Sequence, residues 1–109
     1  MSNSLGRLRV VASQQVHAYV TPGRCPCCGR DRAAAVRRGI REELAQLGLA
    51  DRVLVEVHAA DLGHCGVLLV LHPCAALYRY RNRREVREIL QEHFGRGRIA
   101  WRLYLGCAQ

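Results

Sequence analysis

The tightest constraint on this chain is a helix held between two apolar strands with almost no connecting residues. Val36, Ile40, Leu44 and Leu47 recur at the spacing that puts them on one face of a helix over residues 32–47, with Asp31 available to cap its start and Gly48 to stop it. An apolar strand over 16–20 precedes the helix and ends in the turn signal Thr21-Pro22-Gly23; a second strand over 52–57 follows after a very short connection. Strand, helix and strand so closely joined form a β-α-β unit, whose strands run parallel with a right-handed crossover. Gly39 interrupts the helix, which costs about 1 kcal/mol relative to alanine unless a neighbouring group packs against it.

The second half changes pattern. Residues 67–71 are apolar at every position, as expected of a strand covered on both faces. A turn through His72, Pro73 and Cys74 leads to a strand over 76–80, giving an antiparallel hairpin. Asn82 with Glu85 forms a capping box for a helix that reaches Phe94, with Val86, Ile89, Leu90 and Phe94 on its face and Gly95 after it. Residues 99–105 read as a fifth strand, and residues 1–8 as a flexible tail on a single domain spanning 1–109. The expected fold class is α/β: β-α-β then β-β-α, a mixed sheet with helices on both faces, an order that resembles the thioredoxin fold.

Chemistry concentrates at two turns. Cys25, Cys27 and Cys28 lie between the first strand and the first helix, where the N–H groups of a helix start favour thiolate over thiol, and Cys65 follows the second strand. Six cysteines in a short chain suit a secreted disulfide framework. Three of them within four residues, and a start without the apolar centre of a signal peptide, instead point to metal or redox use in the cytoplasm. No apolar run nears the roughly 20 residues that span a bilayer, so no membrane role is expected.

The net charge of +8 comes entirely from arginine, which a GC-rich genome also produces. As function, a basic face docks an acidic redox partner protein, and the run Arg79-Tyr80-Arg81-Asn82-Arg83-Arg84 favours such a partner. Only Tyr78, Tyr80 and Trp101 lie among the arginines, too few stacking platforms to favour nucleic acid.

The strand ending His17-Ala18-Tyr19-Val20, the turn Leu62-Gly63-His64-Cys65, the run from Val67 to Pro73 and the helix ending Glu92-His93-Phe94-Gly95 together resemble the thioredoxin-like [2Fe-2S] ferredoxins over residues 17 to 105. The resemblance implies a small electron carrier, a homodimer, and four ligands to one cluster. Two family cysteine positions fall on Thr21 and Asp61, while Cys28, or Cys25, takes the second and Cys65 the fourth. The implied ligand set is Cys25, Cys28, Asp61 and Cys65.

The same residues support other readings. Cys25-Pro26-Cys27-Cys28 places a Cys-x-x-Cys where thiol-disulfide oxidoreductases keep theirs, with Cys25 as nucleophile and Cys28 resolving, although no proline precedes the third strand to face it. A zinc site would use Cys25, Cys28 and Cys65, with Cys27 nearby and His64 or His58 as the nitrogen ligand. A ferredoxin-like domain with no site at all would serve as an accessory partner. His17, His58 and His72 fall at strand positions or ends and read as half-buried side chains, and Cys74 and Cys107 as incidental thiols. No Ser-His-Asp set, phosphate-cradling glycine loop or catalytic carboxylate pair is present.

Overall fold

A computed structural model describes residues 14–23, 32–62 and 66–107. Its elements are β1 (Gln15–Val20), α1 (Ala33–Gln46), β2 (Leu54–Ala59), β3 (Val67–His72), β4 (Ala76–Tyr80), α2 (Arg83–Leu90) and β5 (Tyr104–Cys107). The five strands form one mixed sheet in the order β2-β1-β3-β4-β5. β1 and β2 are parallel, joined through α1 as the short connections require, and the remaining neighbours are antiparallel.

Strand alternation sorts the side chains. Val16, Ala18 and Val20 of β1, Val67, Leu69 and Leu71 of β3, and Ala76, Tyr78 and Tyr80 of β4 are buried and form one core with Val36, Ile40 and Leu44 of α1 and Val86, Ile89 and Leu90 of α2. Both helices draw on the same core, and they also touch each other. Glu43 of α1 is buried, accepting from Arg83 Nε at 2.7 Å and from Arg87 Nε at 3.0 Å. Burial alone would raise the Glu43 carboxyl, but the hydrogen bonds and charges of Arg87 and Arg83 outweigh it and hold the group below its ordinary value. Gly39 is buried at this helix contact, with the Arg83 side chain lying 3.7 to 3.9 Å from where a Cβ would stand.

The expected helices on both faces are therefore corrected: among the described residues, α1 and α2 lie side by side on one face. The connection of residues 60–66 between β2 and β3 is shorter than the ten or so residues a helical crossover needs. The apolar run of β3 has a different cause. β3 is central, and its outward Leu68 and Val70 pack between the outward residues of β1 and β4, with Tyr19 opposite Leu68 and Leu77 opposite Val70.

Smaller differences concern ends. Arg32 occupies the N-cap of α1 without a side-chain cap, and the expected cap, Asp31, lies outside the described residues. The Asn82 cap forms as expected: Glu85 N–H donates to Asn82 Oδ1 at 2.9 Å and Glu85 Oε1 accepts from Arg81 N–H at 2.8 Å. After Leu90 the helix widens to a π turn over Gln91–Gly95, closed by Arg96 N–H on Gln91 O. The fifth strand is confined to Tyr104–Cys107, because Trp101–Leu103 form a 3-10 turn.

Candidate metal centre

The two cysteine-bearing turns depart from one corner of the sheet. β1 and β2 stay in register to their last pair, Val20 with Ala59, and Ala60 N–H then donates to Val20 O at 2.8 Å. One step further, Leu62 N–H lies 3.4 Å from Thr21 Oγ1. β3 begins on the opposite side of β1, with Leu68 facing Tyr19, so β2 ends and β3 begins on either side of the end of β1 that leads into the first cysteine turn. Thr21 and Asp61, the residues at two ligand positions of the resemblance, therefore stand at adjacent strand ends, and Asp61 is exposed. Cys25, Cys27, Cys28, His64 and Cys65 lie outside the described residues.

The start of α1, with no acidic residue in its first turn, follows directly on the first cysteine turn and offers the positive end of the helix dipole. A cavity of about 150 Å³ between α1, β4 and α2 is lined by Arg32, Tyr80 and Arg83 among others. Burial pushes the Tyr80 phenol up to about 12, so it stays protonated, while the charges of Arg32 and Arg83 pull the other way.

On the outer face of the sheet, β1 and β2 bring together residues that sequence reasoning left separate. Register places His17 opposite Glu56 and Tyr19 opposite His58. His17 Nδ1 is 2.9 Å from His58 Nε2 and 3.4 Å from Glu56 Oε2, and His58 Nε2 is 3.7 Å from the same oxygen. The two imidazoles stack at 5.2 Å with 13° between planes, His58 stacks in turn on Tyr19, and His72 meets His17 edge-on at 5.3 Å. Burial lowers the His17 pKa, opposed by Glu56 and assisted by His58 and His72, so the ring is neutral near pH 7. His58, a nitrogen candidate for the sulfur turns, instead faces His17. The available signal was a histidine flanked by small apolar residues in each strand, Ala18 after His17 and Val57 before His58, and it became a site only once the strand register was known.

Cys74, read as incidental, has partners. Its sulfur is 3.4 Å from His93 Nε2, and His93 Nδ1 is 3.0 Å from Tyr78 Oη, which accepts from Ala100 N–H at 3.3 Å. Burial lowers the His93 pKa and raises that of Tyr78. The neutral ring thus accepts a hydrogen bond from Tyr78 Oη–H at Nδ1 and turns Nε2–H toward sulfur. Cys107 is exposed, 3.4 Å from Tyr104 Oη.

No family model and no curated protein matches this chain. No described helix is long and apolar enough to cross a membrane.

Proposed function

We propose that this chain is a small redox protein in which the two cysteine turns act as one sulfur centre, holding a [2Fe-2S] cluster and docking to an acidic partner. The observation that carries this reading is the contact between Thr21 and Leu62, which joins the strand ends that lead into both turns. The strand order, with a helix-linked parallel pair followed by a hairpin and a helix, supports a thioredoxin-like arrangement.

The residues fit the group in number and class. Cys25, Cys28 and Cys65 offer thiolates, Asp61 offers a carboxylate at the strand end beside Thr21, and Cys27 is a further sulfur. The neutral Thr21 hydroxyl is a poor iron ligand, so the first turn must supply two donors. When bound, the cluster would accept and release one electron. The protein's own part is to hold the donors at the sheet corner and surround their negative charge with the α1 start, Arg32 and the arginines from Arg81 to Arg84. The same arginines would attract an acidic partner surface.

A second reading is favoured by the place of the first cysteine turn in the chain, just before α1, whose first turn carries no acidic residue and whose dipole suits a thiolate at Cys25 and a dithiol with Cys28. The absorption spectrum of protein purified without oxygen separates the two. Broad visible bands that bleach with dithionite, with two irons per chain, support the cluster. A colourless protein without iron rejects it, and recovery of two thiols on mild reduction then supports the dithiol.

A further inference from the structure

We propose that His17, Glu56 and His58 form a second metal site, on the face of the sheet opposite the described helices, that binds one divalent transition ion of the zinc class. The geometry is that of a ligand set. Two metal–nitrogen bonds of about 2.0–2.1 Å at a tetrahedral angle hold their nitrogens about 3.3 Å apart. The three donor atoms here are separated by 2.9, 3.4 and 3.7 Å, bracketing that length. All three lie within 4.8 Å of one another.

The lone pairs also converge. His17 Nε2 is 2.8 Å from Gln15 Oε1, an acceptor only, so the His17 proton sits on Nε2 and Nδ1 turns its lone pair toward His58 and Glu56. A carbonyl oxygen fixing the far nitrogen is how ligating histidines are commonly oriented. With no ion bound, one proton on His58 Nε2 bridges the two rings, and the carboxylate stands beside them. A divalent cation replaces that single proton and satisfies all three donors, the proton moving through solvent to His58 Nδ1 so that the ring stays neutral.

Donor class selects the metal. Two imidazoles with one carboxylate suit zinc, cobalt, nickel or copper, whereas calcium and magnesium prefer all-oxygen sets. Neighbouring parallel strands in register make the frame rigid, and the His58 and Glu56 side chains are 39% and 48% exposed, so ion and solvent have access. Three protein ligands leave a fourth position, which water fills or His72, edge-on to His17, approaches.

The site is independent of the sulfur turns, and the test separates them. The full chain is titrated anaerobically with Co²⁺ as an optical stand-in for zinc. Thiolate ligation gives intense sulfur-to-cobalt charge transfer in the near ultraviolet, whereas a nitrogen and oxygen set gives visible d–d bands alone. The expected result is one equivalent of cobalt with d–d bands and no charge transfer attached to it, bound at least tenfold more weakly in His17→Gln, His58→Gln and Glu56→Gln. Glu56 is half exposed, so Glu56→Gln keeps the test valid if either histidine variant unfolds. Cobalt bound only with thiolate bands, or d–d bands of unchanged affinity in Glu56→Gln, overturns the proposal. Neither result depends on whether the cysteine turns hold a cluster.

Discussion

The two faces of the sheet are made from the same strands and do opposite work. The inner face carries Val16, Ala18, Leu69, Leu71 and Tyr78 under both helices and supplies the core. The outer face carries Gln15, His17, Tyr19, Glu56, His58 and His72, side chains that pair with one another across strands. Hydrophobic stabilisation scales with apolar area removed from water, so a sheet covered on one side draws its stability from that side and leaves the other free for polar chemistry.

Substitutions on a single strand can break this comparison. Leu69→Ala should lose about 3 kcal/mol by emptying a fully buried site. Leu68→Ala, one residue away and facing outward, should lose about 1 kcal/mol. Equal shifts in urea midpoint would contradict the one-sided core.

Glu43→Gln sharpens it further, since Glu43 is the one buried charged residue described on the helix side. A loss of about 2 kcal/mol is expected, because each neutral amide bond replaces a charge-assisted one. The Glu43 carboxyl is held low in the folded state, so its stabilisation is fully present above pH 4.5 and disappears as pH falls through the lowered folded value. The variant should therefore lose less stability on acidification than the parent, measured by urea unfolding from pH 6 downward.

Tyr78→Phe should lose about 1–2 kcal/mol, because it strands the Ala100 N–H and the His93 ring nitrogen. His93 itself is held neutral by burial, so its contribution is complete above pH 6.5 and declines below it as the unfolded chain takes up the proton. Replacing His93 with glutamine should flatten the stability profile just below pH 6.5. Gly39→Ala has the smallest expected effect: a gain of about 0.5–1 kcal/mol, since the added Cβ meets Arg83 only at ordinary contact distance. A loss of stability there would mean that the helices require closer approach.

The helices, their faces and the Asn82 cap were legible because each is encoded within a few residues. Val36, Ile40 and Leu44 declare their face by spacing, and Glu85 lies one turn from its partner. The helix-linked parallel pair was legible for the same reason. Which face the second helix covers was not, because a continuous apolar run such as residues 67–71 reads alike for a strand between two layers and for a central strand whose described helices lie on one face. The histidine pair was hidden more deeply, since His17 and His58 meet only through a strand register set by the whole β-α-β unit. Of the expected site, Thr21 and Asp61 come to one corner, while the sulfurs fall outside the described residues.

A shared sulfur centre requires the two cysteine turns to meet, and mild oxidation of the metal-free full chain tests that meeting without any cofactor. An intrachain disulfide requires Cα atoms within about 4.4–6.8 Å. Peptide mapping after diamide treatment should find Cys65 joined to Cys25, Cys27 or Cys28 in the monomer. Recovery of Cys65 as a free thiol, or paired only between chains, would contradict the account.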